Sequence, residues 1–281
     1  MTTSVLDIDG LKEKARELRL DVLEMTTRAG SGHPSSSWSA VEILTALFFG
    51  GVLNYRAGEP DWPERDRFIL SKGHAAPILY AALAHAGYFP REELWRLREV
   101  GSPVQGHPVQ GSMPGIEATT GSLGQGLSIG LGHVLGGRLN GYRYRVYVVL
   151  GDGECQEGQI WEAAMAAAHH RAGELTAILD YNKYQETGPI AREVALEPLA
   201  DKWRSFGWRV EEVDGHDIAA LIGKLNLCRQ LEMTGQPQII IAHTTKGKGV
   251  TFVEQDFTWH GRALKDAGQV EQAREELQNA R

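Results

Sequence analysis

RYRVYVVLGDGECQEGQIWEAAMAAAHHRAGELTAILDYNKY, residues 143–184, reads as strand, turn, helix, strand and turn. Val146, Val148, Val149 and Leu150 form a short, β-branched apolar run that ends at Gly151, the pattern of a strand buried on both faces. Residues 157–172 are Ala-rich, with neither Pro nor Gly after Gly158, which predicts a helix. Residues 175–179 are a second apolar run. A strand–helix–strand unit of this length is a parallel crossover. The fold class is therefore α/β, a largely parallel central sheet with helices on both faces.

That crossover sets Asp152 and Asn182 side by side, each just past the carboxyl end of its strand, where open α/β sheets bind ligands. A carboxylate and an amide carbonyl are hard oxygen donors suited to Mg²⁺ or Ca²⁺, and two protein ligands leave room for water and phosphate oxygens. Gly151 and Gly153 flank the Asp, so backbone can come close to those oxygens. An Asp-Gly turn or an Asn turn alone is commonplace. The two in register across one crossover favour a metal–diphosphate site.

Working outward, residues 11–28 carry apolar positions at helical spacing, 31–38 (SGHPSSSW) read as a loop, and 39–49 as a second amphipathic helix. Residues 54–66 are polar, with Pro and Gly, and make a surface connection. Residues 67–70 are a short strand, 71–74 (SKGH) a turn and 75–86 a helix. Residues 101–122 form a long loop, a length usually tied to function or disorder, before a Gly-rich helix over 123–139. Beyond the crossover the pattern predicts a helix at 194–206, a strand at 208–213, and a helix at 217–231 with Asp214 or His216 near its start. A strand follows at 238–243, then a loop with TWHG at 258–261 and a polar, partner-facing tail helix at 266–281. No composition break divides the chain, so a single domain over 1–281 is expected.

At 281 residues the chain can bury roughly 75% of its unfolded surface. A net charge of −7 argues against nucleic-acid binding, which needs clustered Lys and Arg. The two cysteines, Cys155 and Cys228, offer no disulfide framework and suit a reducing cytoplasm. The N-terminus has no apolar core of a signal peptide, and no segment is apolar enough to span a membrane.

Ten histidines fall into groups by setting. His85, His133, His169 and His170 lie in predicted helices, and the adjacent pair lacks the spacing of a metal clip. His216 is expected to be structural. His33 (SGHP), His74 (KGHA), His107 (QGHP) and His260 (WHGR) sit in tight loops beside Gly or Pro. One such His is usually exposed; four in one α/β chain point to a shared function.

GDG at 151–153 followed by Asn182 resembles the thiamine diphosphate enzyme signature, and GDGECQEGQIWEA resembles the transketolases. TTGSLGQGLSIGLG at 119–132 is similar to the same family, and the likeness runs over residues 11–264. It implies a thiamine diphosphate-binding fold, with Mg²⁺ or Ca²⁺ held by Asp152, Asn182 and the backbone carbonyl of Tyr184. It further implies cofactor contacts from Gly121, Ser122 and Leu123. By the same resemblance His33 and His260 handle the donor hydroxyl beside the scissile bond, His107 binds the terminal hydroxyl, and His74 and His260 reach the diphosphate. Glu157, otherwise an ordinary helix-start carboxylate like Glu162, belongs in the family to an acidic network linking two active sites. Ser residues follow Pro34 where the family commonly has Gly or Ala, which alters the pocket wall near His33.

Family members of full length continue through two further domains, which bring the activating Glu of the pyrimidine-binding domain and the arginines for sugar phosphates. The resemblance therefore implies one subunit of a split transketolase, active with a separate chain in a heterotetramer holding two copies of each. Its substrates would be sugars or sugar phosphates. Competing readings are the alpha subunit of a thiamine-dependent 2-oxo acid dehydrogenase, against which the three His loops SGHP, KGHA and QGHP speak, and a non-catalytic paralogue. A NAD-binding Rossmann protein fails for want of its Gly pattern, and KGKG at 246–249 lacks the spacing of a P-loop.

Overall fold

The computed structural model describes residues 6–279. Seven strands form among the described residues: β1 Arg67–Leu70, β2 Val146–Gly151, β3 Leu175–Tyr181, β4 Tyr184–Gln185, β5 Gly188–Pro189, β6 Arg209–Asp214 and β7 Gln238–His243. Five of them build one sheet in the order β1-β2-β3-β7-β6, every neighbouring pair parallel. β4 and β5 are a two-residue antiparallel hairpin just after the crossover. The helices are α1 Ile8–Ala29, α2 Pro34–Trp38, α3 Val41–Phe49, α4 Ala76–His85, α5 Gln125–Leu139, α6 Gly158–His169, α7 Ile190–Glu193, α8 Leu199–Ser205, α9 Ile218–Leu231 and α10 Ala267–Asn279.

The central strands are buried on both sides, and their alternating side chains feed two separate cores. Tyr147, Val149, Ile178 and Ile240 face α1, α3, α4 and α9. Val146, Val148, Leu150, Ala177, Leu179, Ile239 and Ile241 face α5, α6 and α8. Edge strand β6 carries Arg209, Glu211, Glu212 and Asp214, charges that discourage pairing with another strand. α1 is capped by Asp7 and stopped by Gly30, whose left-handed φ of 59° only glycine adopts readily. It sinks Leu11, Leu18, Val22 and Met25 into the core, each worth about 1.5–3 kcal/mol.

Several boundaries differ from the sequence reading. SGHPSSSW is not loop throughout: Pro34 sits in the first turn of α2, and all five residues of that helix are buried. The helix expected from 157 begins after a 3₁₀ turn over Gly153–Gln156, with Glu157 as its cap, and ends at His169. Residues 194–198 precede α8 rather than belonging to it, since Pro198 cannot donate within a helix. The cap of α9 is Asp217, whose side chain accepts from Ala220 N, with Asp214 and His216 just upstream of it. The tail helix packs Ala273 and Leu277 into the core and contacts α1, so its apolar side faces its own chain; positions 280 and 281 lie outside the described residues. Among the described residues no helix is long and apolar enough to cross a membrane.

Candidate functional site

Register pairs Gly151 with Asp180 across β2 and β3, so both strands end at the same level. The turns that follow are tied together: Asp152 Oδ2 accepts from Lys183 N, and Oδ1 accepts from Gly153 N at 2.8 Å. Asn182 lies in the same knot, its Oδ1 accepting from Tyr184 N at 3.1 Å and its Nδ2 facing Asp180 Oδ2 at 3.4 Å. Asp152 and Asn182 thus lie in neighbouring turns that border one cleft. Burial and the neighbouring Asp180 push the Asp152 carboxyl up to about 7, against the two N–H donors. A carboxyl in that state is one that a cation would hold ionised.

These turns form one wall of a cleft of about 480 Å³ at the carboxyl edge of the sheet. His33, His74, His107 and His260 line it too, brought from four segments. His33 sits between the Gly30 cap of α1 and the first turn of α2. His74 lies in the 3₁₀ turn after β1, where Gly73 leaves room for the backbone of Gly121: an added Cβ would come 2.7 Å from Gly121 N. His107 packs on Gly121, and its carbonyl accepts from Tyr80 OH at 3.1 Å. The rings of His33, His74 and His260 are mutual neighbours, with centroids 5.2–5.5 Å apart.

All four imidazoles are held neutral. Burial, then Arg98, His107 and the buried lysines, pulls His33 down to about 4. Burial with Lys246 takes His260 to about 2, and burial with Lys72 takes His74 well below its ordinary value. His107 is lowered by burial and Arg98. Neutral imidazoles can accept a proton or hydrogen-bond a hydroxyl at physiological pH.

The sequence reading missed the groups behind this wall. Lys72 Nζ donates to Asp180 and to Ser36 O at 2.9 Å, while Lys246 Nζ donates to Ser36 Oγ at 3.1 Å and lies 3.0 Å from His260 Nδ1. Both lysines are fully buried, and burial with the charge of Lys72 brings Lys246 down to about 7. Glu154 gathers three elements: it accepts from Ser71 Oγ, from Gly124 N at 2.9 Å and from Gly151 N at 2.9 Å. The one sequence signal for the lysines was their place inside Gly turns, SKGH and TTKGKG.

Gly121, Leu123, Gly151, Gly153, Asn182 and Tyr184 all border the cleft, whereas Ser122 is exposed and outside its lining. The Gly151 N–H is already bonded to Glu154. Glu157 lines the cleft from its rim, and Glu162 is exposed on α6. His216 is structural, bridging Glu42 and Thr245 N. Among the described residues no group of three or more His, Cys, Asp and Glu could hold a metal. A larger groove of about 1140 Å³ runs between α1, α9 and α10, where Arg19 pairs with Glu42 and Arg16 with Glu13.

A parallel sheet with a glycine-flanked carboxylate and a buried amide at its carboxyl edge places a cleft where open α/β domains bind their ligands. Residues 11–280 match the family model described as transketolase, thiamine diphosphate binding domain. The chain is 42% identical over 256 residues to the 6-deoxy-6-sulfo-D-fructose transketolase subunit SqwG of Clostridium sp. strain MSTE9, covering 91% of this chain and 92% of that one. It is also 42% identical over 258 residues to the transketolase of Pongo abelii, covering 92% of this chain but 40% of that longer protein. A crystal structure of a transketolase variant from Pichia stipitis superposes with a TM-score of 0.89 at 31% identity, over 95% of this chain and 40% of that one. The chain belongs to the transketolase family and carries its thiamine diphosphate binding domain.

Proposed function

We propose that this chain, as a single domain, is the diphosphate- and Mg²⁺-binding subunit of a two-chain transketolase, moving a two-carbon ketol unit from a ketose to an aldose. The observation that carries the reading is the meeting of the Asp152–Asn182 turn with four neutral imidazoles in one cleft. The donor set fits the cofactor: one buried carboxylate short of a cation, one amide oxygen and the Tyr184 carbonyl are oxygen ligands for Mg²⁺ or Ca²⁺. Thiamine diphosphate, when bound, supplies the electron sink for cleaving the carbon–carbon bond.

The chain's own groups bind, orient and move protons. His33 and His260 take and return the proton of the donor hydroxyl beside the scissile bond. His107 holds the terminal hydroxyl, while His74 and His260 face the diphosphate. Gly121, Leu123 and Gly153 offer backbone to the cofactor, and Glu157 joins an acidic link to a second site. The activating Glu of the pyrimidine-binding domain comes from a separate partner chain in a cytoplasmic heterotetramer with two copies of each. A relative of similar length named as a transketolase subunit supports this.

Asp152→Ala tests the site directly. In the assembled enzyme it should abolish Mg²⁺-dependent retention of thiamine diphosphate, measured by titration calorimetry, and unchanged affinity would refute the assignment. Turnover with pyruvate but not with a ketose donor would move the chain to the 2-oxo acid dehydrogenases instead.

A further inference from the structure

Arg98 stands at the seam between two of the histidine-bearing loops. Its backbone adopts φ 62°, a left-handed conformation that residues with a Cβ seldom enter. Such a conformation persists where surrounding contacts over-determine it, and it clusters at functional sites. The contacts come from three directions. Arg98 N donates to Val104 O at 2.9 Å. Nη1 donates to Ser31 Oγ at 2.7 Å. The guanidinium lies against Gly106, where an added Cβ would come 2.9 Å from Nε and 3.1 Å from Cζ. Ser31 lies two residues before His33, and Gly106 immediately precedes His107. One side chain thus ties segment 31–33 to segment 104–107.

Among the described residues Arg98 has no carboxylate bonded to it. After burial it is the largest influence on His33, ahead of His107, Lys246 and Lys72, and it is the charge that acts on His107. His74 and His260 flank His33 through their rings, and Tyr80 holds the His107 carbonyl. A guanidinium keeps its charge throughout the working pH range, so it opposes protonation of both imidazoles. Building on the roles proposed for His33 and His107, we infer that Arg98 is a positioning residue for ketol transfer: it fixes the spacing of their loops and sets a permanent positive charge beside both rings.

The test compares Arg98→Met, Arg98→Lys and Gly106→Ala in the assembled two-chain enzyme, with hydroxypyruvate as the two-carbon donor. Arg98→Met is expected to lower kcat about ten-fold, as small misplacements of reacting groups do. It should also move the acid limb of the kcat/KM profile to higher pH, because the rings protonate earlier without the cation. Arg98→Lys should restore the pH profile but not the full rate, since an ammonium keeps the charge and loses the flat fork. Gly106→Ala should lower the rate with Arg98 still present, by pushing the guanidinium off its seat. That variant leaves the Arg98 backbone intact and keeps the test decisive if Arg98→Met does not fold. Parent-like rate and acid limb in Arg98→Met, with His33→Ala and His107→Ala inactive, would overturn the inference and leave the histidine roles standing. Full activity in both histidine variants would bring down those roles and the inference with them.

Discussion

Arg19 and Glu42 face each other between α1 and α3, with 9% of either side chain exposed. His216 completes the pair: its Nε2 accepts from Thr245 N at 2.8 Å, so Nδ1 carries the proton toward Glu42 Oε2 at 3.0 Å. Burial alone would raise the Glu42 carboxyl; Arg19 and His216 outweigh it and hold the group at about 2. A depressed carboxyl contributes stability above its unfolded value, here 4.5, and loses it as pH falls toward 2. The loss amounts to roughly 3 kcal/mol. Glu42→Gln should already lack that contribution at neutral pH, unfolding about 3 kcal/mol more easily because Arg19 is left buried without its partner. Urea denaturation across this pH window reads both effects, and parallel curves for the two proteins would show the ion pair to be idle. At this scale the sequence announced residues whose neighbours in the chain were distinctive. Asp152 between two glycines and the four loop histidines were legible; Lys72, Asp180 and Lys246 were not, because each acquires its partner from a distant segment.

α5 shows how one element carries two opposite demands. Gly130 lies against β2 and β3 so closely that a Cβ would meet Val148 Cγ2 at 2.7 Å and Leu175 Cδ1 at 3.3 Å. Gly132 and Gly136 have nothing within 4 Å of the same position. Gly130→Ala should therefore destabilise the chain by about 1–3 kcal/mol through overpacking. Gly136→Ala should stabilise it by up to about 1 kcal/mol through helix propensity. Thermal unfolding of both variants measures the contrast, and shifts of the same sign would count against this packing. The composition of 123–139 predicts a helix, but not which glycines meet the sheet, since Gly has no hydropathy to mark a side. α2 escaped for a related reason. Five residues are too few for periodicity, and its serines favour turns until tertiary bonds, such as Ser35 Oγ to Trp259 O at 2.9 Å, fix them in a helix.

For the whole molecule, the sheet order brings the loops after β1, β2 and β3 to one edge, and the cleft collects there. The alternation of apolar strands with helices made this architecture readable, because a parallel sheet must be covered on both faces. The two-chain reading predicts that the purified chain alone performs no ketol transfer. Activity should rise on titration with the partner chain and level off at equal amounts, in a coupled assay of aldose consumption. Full turnover by the single chain would end that reading.

The three-way grip of Glu154 on Ser71, Gly124 and Gly151 joins the turns after β1 and β2 to the start of α5 through groups of the chain itself. On the proposed reading, taking up a diphosphate would therefore ask little further ordering of these turns.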